Sequence, residues 1–117
     1  MIAQGDIWWA RLPEPTGSEP GFRRPVVVVQ GEAFNKSRMA TVVCVVLTTQ
    51  LKWAEAPGNV LLTERDTGLP KPSVANVTQI ATLDRATLEE RAGKLTRAKL
   101  SLVLAGIDVV LGREGPP

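Results

Sequence analysis

Histidine is absent from the 117 residues. That excludes a His-ligated metal site and any imidazole acting as general acid or base. Cysteine occurs once, as Cys44 in the apolar run "TVVCVVL", where it reads as a small core residue. With one thiol and no imidazole, structural zinc is excluded. No disulfide can close within one chain, so a cytoplasmic setting is expected. No apolar run approaches the ~20 residues of a membrane span. The start, "MIAQGDIWW", lacks the basic opening and long apolar stretch of a signal peptide. There is no internal repeat and no low-complexity segment. An excess of one charge is lacking too: Lys and Arg total 14 against 12 for Asp and Glu, a net +2 and a pI near 9.0. That mild bias permits a nucleic acid partner without demanding one.

What is present is ordinary for a globular chain, with 44% hydrophobic and 22% charged residues. The length predicts a single domain over residues 1–117, large enough for a modest core. "GDIWWARL" (5–12) reads as a first strand, and "PEPTGSEPGF" (13–22), with three prolines and two glycines, as a loop long enough to be functional. "PVVVVQ" (25–30) and "TVVCVVLTT" (41–49) read as strands, with loops at 31–40 and 50–58. "NVLLT" (59–63) and "SVANVTQIATL" (73–83) supply short strands around the turn "RDTGLPKP" (65–72), and "EERAGKL" (89–95) a last strand. Over 96–111, Leu100, Val103, Leu104, Ile107 and Leu111 fall on one helical stripe, with Thr96 as N-cap and Gly112 as C-cap. The fold class expected is mainly β: a small, curled antiparallel sheet or barrel with a C-terminal α-helix packed on it.

The candidate chemistry lies at strand ends. Arg24 opens the second strand, and Thr48, Thr49 and Gln50 follow "CVVL" at the end of the third. If these strands are neighbours, a cation and several hydroxyls share one end of the sheet, with Ser18 and Glu19 on the adjoining loop. An arginine with hydroxyl donors suits a phosphate. On the residues alone, Arg23 and Arg24 read equally well as a solvated strand end.

"GDIWWARLPEPTGSEPGFRRPVVVVQ", followed by "VVLTTQ" and "SVANVTQI", resembles the MazF/PemK (Kid) family of toxins from toxin–antitoxin systems. The resemblance runs from Gly5 into the C-terminal helix. It implies a Src-homology-3-like barrel, a homodimer, and metal- and cofactor-free cleavage of single-stranded mRNA at short sequences. It also implies an antitoxin that blocks the site with an acidic, disordered C-terminal segment. Carried over by position, the family's essential arginine falls on Arg24, its essential threonine on Thr48, and its loop serine and glutamate on Ser18 and Glu19. Arg23, Thr49, Gln50, Trp53 and Gln79 are candidate RNA contacts. On this reading the RNA's own 2′-hydroxyl is the nucleophile, and the ends left are a 2′,3′-cyclic phosphate and a 5′-hydroxyl. Arg24 would stabilise phosphorane charge, Thr48 would donate a hydrogen bond or deliver a proton, and Glu19 is the carboxylate available as base.

The other aromatics read differently. Trp8 and Trp9 are consecutive in a strand, so one is expected in the core and the other near the surface. Trp53 sits in a polar loop, either stacking on a base or an antitoxin or tucked under its own loop. Two rival functions share the fold. One is a gyrase poison of the CcdB kind, which acts through its C-terminal helix; the ending "DVVLGREGPP" carries no aromatic anchor for that role. The other is a homologue that binds RNA without cutting it.

Overall fold

The computed structural model describes residues 1–13 and 22–113. Six strands form one antiparallel sheet: β1 (Asp6–Leu12), β2 (Phe22–Val28), β3 (Thr41–Thr48), β4 (Val60–Leu62), β5 (Ser73–Asp84) and β6 (Leu88–Lys94). Their order across the sheet is β4-β5-β3-β2-β1-β6. The helices are α1 (Glu32–Asn35), α2 (Glu64–Thr67) and α3 (Arg97–Val110), with 3-10 turns at Leu51–Glu55 and Arg85–Thr87. The mainly β architecture with a C-terminal helix, expected from the sequence, is the one observed.

The valine run of β2 is apolar throughout because both faces of the sheet are covered. Val27 and Val29 point to one face, where they meet Ile7, Val45, Leu47, Val77 and Val103 of α3. Val26 and Val28 point to the other, with Ala10, Leu12, Val42, Cys44, Val46 and Leu83. The same alternation corrects the expectation for the paired tryptophans. Trp9 packs on the first cluster and Trp8 on the second, and both are half-buried. Neither is simply a surface residue, since neither face of the sheet is simply a surface. Burial pushes the Cys44 thiol up to about 12.

Helix α3 begins as its sequence predicts. Thr96 Oγ1 accepts from the Lys99 N–H at 3.3 Å, and Gly112 supplies a positive φ of 70° just past the helix. Leu100, Leu104 and Ile107 pack beside buried Val103 on the core. Leu111 departs from the expected stripe: it lies beyond the last helical residue and is exposed. Segments read as plain loops also carry helical turns. Over 31–40 there is α1, over 50–58 a 3-10 turn, and α2 occupies part of 65–72. In α2, Thr63 and Asp66 close a capping box: the Thr63 N–H donates to Asp66 Oδ2 at 2.8 Å, and the Asp66 N–H to Thr63 Oγ1 at 3.2 Å.

Two irregularities shape the end of the sheet that matters most. Strands β2 and β3 pair only from Val26↔Val46 through Val28↔Cys44. Beyond that point β2 stays on β1, with Arg24 opposite Ala10, while β3 stays on β5, with Thr48 opposite Val74. Pro25, without an N–H to donate, stands where the β2–β3 ladder stops. The sheet therefore splits, with Arg24 on one side of the opening and Thr48 on the other. The second irregularity is a bulge between β3 and β5. Val45 pairs with Ile80 and Leu47 with Ala75, so the β5 residues from Asn76 to Gln79 face only Val46. A bulge of this kind re-aims side chains that a regular ladder would hold in plane.

Candidate active site

The split and the bulge together form a groove of about 750 Å³. Arg24 and Thr48 line it from the two parted strands, Asn76, Thr78 and Gln79 from the bulge, and Gln50, Trp53 and Asn59 from the segment after β3. Val109 and Val110 at the end of α3 add an apolar margin. Of the residues singled out in the sequence, Arg24, Thr48, Gln50, Trp53 and Gln79 are thus brought together. They come from three separate segments, joined because β2 and β3 are antiparallel neighbours and β5 lies beside β3.

The chemistry available follows from the donors. Arg24 is half-buried at the start of β2 and presents a planar fork suited to phosphate oxygens. Thr48 Oγ1 accepts from the Gln50 N–H at 3.2 Å, which leaves its own hydroxyl proton to donate into the groove. Among the described residues, the amide groups of Gln50 and Gln79 and the Trp53 indole N–H have no protein partner. Trp53 is 45% exposed, with Lys52 Nζ 5.5 Å from its ring centroid. It is therefore a partly open aromatic face, not a residue tucked beneath its loop. None of the described residues lining the groove is a carboxylate. No three Cys, Asp or Glu side chains among the described residues are grouped as a metal would require.

Arg23 is not brought to the groove. Strand β2 starts at Phe22, not at Pro25, so Arg23 and Arg24 are consecutive strand residues and point to opposite faces. Arg23 lies over Trp9, with its guanidinium carbon 4.6 Å from the ring centroid. Its Nε donates to Glu89 Oε1 and its Nη2 to Glu90 Oε1, both at 3.1 Å. Arg11 also donates to Glu89, through Nη2 at 2.8 Å. The bonds from Arg11 and then Arg23 hold the Glu89 carboxyl below the usual carboxylate range. Thr49 is exposed and does not line the groove. Ser18 and Glu19 lie outside the described residues.

Asn59, Asn76 and Thr78 were not singled out from the sequence. Their signal was present: polar residues interrupt the apolar pattern of "GNVLL" and "SVANVTQI". Placing them in one groove takes the register of β5 against β3, which is non-local.

Residues 3–111 match the family model described as PemK-like, MazF-like toxin of type II toxin-antitoxin system. Endoribonuclease MazF6 of Mycobacterium tuberculosis is 42% identical over 111 residues, covering 95% of this chain and 97% of that protein. Endoribonuclease MazF of Staphylococcus epidermidis is 36% identical over 112 residues, covering 96% and 92%. A solved mycobacterial endoribonuclease, in complex with its cognate antitoxin, matches with a TM-score of 0.79 at 24% identity, covering 99% of this chain and 100% of that one. At that identity the structural likeness speaks for the fold.

Proposed function

The chain belongs to the PemK-like, MazF-like toxins of type II toxin–antitoxin systems, and from that premise we propose that it is an endoribonuclease whose groove cleaves single-stranded mRNA without a metal. The observation that carries the reading is the split between β2 and β3, which sets Arg24 and Thr48 on opposing walls of one groove. A scissile phosphate between them meets a guanidinium fork on one side and a hydroxyl donor on the other.

The substrate supplies the nucleophile. The 2′-oxygen, tethered next to the phosphorus, attacks it, and that tethering lowers the entropic part of the barrier. Its proton passes to a base, for which Glu19 is the candidate carboxylate, with Ser18 beside it in sequence. Arg24 stabilises the charge that builds on the non-bridging oxygens, and Thr48 donates to the same phosphate or to the departing group. The P–O5′ bond breaks, the 5′-oxygen takes up a proton, and a 2′,3′-cyclic phosphate remains. Gln50, Trp53 and Gln79 contact the flanking nucleotides.

The protein acts as a cytoplasmic homodimer. A cognate antitoxin inhibits it with an acidic, disordered segment that competes with RNA for the Arg24 cation. Leu61 and Leu102, both exposed beside a shallow channel between β4 and α3, support burial against a partner.

Product ends test the mechanism. RNA incubated with the protein in excess chelator is expected to be cut, leaving cyclic phosphate and free 5′-hydroxyl ends. One 2′-deoxy substitution on the 5′ side of the cut is expected to abolish cleavage while weakening binding little, because the phosphate contacts survive. Cutting of the deoxy-substituted RNA at a normal rate, or a requirement for added metal, overturns the mechanism.

A further inference from the structure

Asn59 stands between β4 and the bulge of β5, and its side chain makes three hydrogen bonds. Its Nδ2 donates to the Trp53 carbonyl at 2.9 Å and to Asn76 Oδ1 at 3.3 Å. Its Oδ1 accepts from the Val77 N–H at 2.9 Å, which fixes which end of the amide is the oxygen. Asn76 Oδ1 also accepts from Thr78 Oγ1 at 3.2 Å. With that oxygen engaged twice, the NH₂ group of Asn76 is its remaining polar end. Among the described residues it has no protein partner.

The backbone next to Asn59 is held independently. Gly58 has a φ of +83°, and a Cβ on Gly106 of α3 would collide with the Gly58 carbonyl oxygen. Two glycines thus let α3 and the β4 approach touch at backbone distance. One side chain, on a backbone clamped to α3, therefore ties together the 3-10 turn carrying Trp53 and the bulge carrying Asn76. Both residues line the groove that holds Arg24 and Thr48.

We infer that Asn59 is a positioning residue for base selection, holding the Trp53 ring and the Asn76 NH₂ group at a fixed spacing so that this wall accepts a stacked nucleobase and reads its edge. The inference rests on the nuclease reading. A single-stranded base offers a π-face to an indole and acceptors to an amide NH₂, and recognition of unpaired RNA combines the two. Asn59 touches neither base nor phosphate in this scheme. Its two donor bonds are exposed or partly buried, so water replaces them when they are lost. The fold then survives while the spacing of the wall does not.

The test uses the full chain with Asn59→Asp and Asn59→Ala. The aspartate keeps an acceptor for the Val77 N–H but loses both donors and sets oxygen against the Trp53 carbonyl and Asn76 Oδ1. Cleavage is measured on a preferred RNA and on RNAs changed at one base beside the cut. For both variants, KM is expected to rise more than kcat falls, and discrimination against the changed bases to drop about three- to tenfold, the factor set by one neutral hydrogen bond. The melting temperature should change little for Asn59→Asp, which keeps the bond to the Val77 N–H, and fall more for Asn59→Ala, which leaves that N–H without its partner. Labelling with 5-fluorotryptophan gives a readout without RNA: the ¹⁹F signal of Trp53, assigned with Trp53→Phe, should shift or broaden in the variants while those of Trp8 and Trp9 hold. Unchanged discrimination and an unmoved Trp53 signal in a folded variant overturn the inference. A uniform loss of kcat in step with melting temperature also overturns it, since that marks a purely structural role. If wild-type protein cuts no RNA, base selection falls with the nuclease reading, and the Trp53 signal still decides whether Asn59 positions that wall.

Discussion

Two ends of the same strand pair carry the same kinds of side chain and use them in opposite ways. Where β2 runs out toward α1, Gln30 and Asn35 are buried and fully engaged. Gln30 Nε2 donates to Asn35 Oδ1 at 2.9 Å, and Asn35 Nδ2 donates to the Gln30 carbonyl at 2.9 Å and to Glu32 Oε1 at 2.8 Å. The Val43 N–H completes the set on Gln30 Oε1 at 3.3 Å. At the other end, where β2 and β3 part, the amides of Gln50 and Gln79 line a groove without protein partners among the described residues. Amides satisfied inside the protein hold the fold together. Amides with spare hydrogen-bonding capacity, set beside Arg24 and Thr48, are placed to meet a ligand.

The largest effect expected from this contrast is at the open end. Arg24→Ala should lower the cleavage rate by about 10²- to 10³-fold, the usual cost of one preorganised donor to a charged transition state. Its melting temperature should stay near that of wild type, because the β2 valines and not Arg24 fill the core. Arg24→Lys should recover only part of the loss, since a point charge does not reproduce a planar fork. A folded Arg24→Ala protein that cuts RNA at the wild-type rate would remove the residue from the mechanism.

The closed end should respond the other way round. Asn35→Ala leaves the Gln30 amide and carbonyl buried without their partner and should cost about 2–3 kcal/mol of stability. Per folded molecule, cleavage should be unchanged, since Asn35 is not among the residues lining the groove. Denaturant titration measures the first quantity and single-turnover cleavage at low temperature the second. Loss of cleavage without loss of stability would erase the distinction between the two ends.

How much of this was legible in the sequence differs between the two irregularities at the groove end of the sheet. The strands, the helix and its Thr96 cap follow from local pattern, and so does the meeting of Arg24 with Thr48, because consecutive antiparallel strands put the start of one beside the end of the next. The separation of Arg23 from Arg24 was legible in principle, since neighbours in a strand face opposite ways. It was obscured by starting β2 at Pro25, when the strand begins at Phe22 and pairs Arg23 with Arg11 of β1. The bulge was not legible. It exists because Val45 pairs with Ile80 while Leu47 pairs with Ala75, and register between distant segments is settled by the core as a whole. Asn59 and Asn76 owe their meeting to that register and to the backbone contact of Gly58 with Gly106.

The smallest effect expected concerns acid, and it separates the two ends by charge. Glu32 belongs to the closed end. Its Oε1 accepts from the Gln4 N–H at 2.6 Å and from Asn35 Nδ2 at 2.8 Å. These bonds, the backbone one first, hold its carboxyl below the ordinary value. A carboxyl lowered on folding adds stability above its unfolded pKa of about 4.3, and that contribution is lost as pH falls through the folded value. In Glu32→Gln the neutral amide oxygen can still accept both bonds, but it gains nothing from ionisation. The variant should therefore melt slightly below wild type at neutral pH, and the gap should close as pH is lowered from about 7 to 3. Glu32 is exposed to solvent, which screens its interactions and keeps the effect small. Among the described residues lining the groove there is no carboxylate to act as a counterpart. A gap for Glu32→Gln that stays constant with pH would show that its carboxylate is not what the closed end draws on.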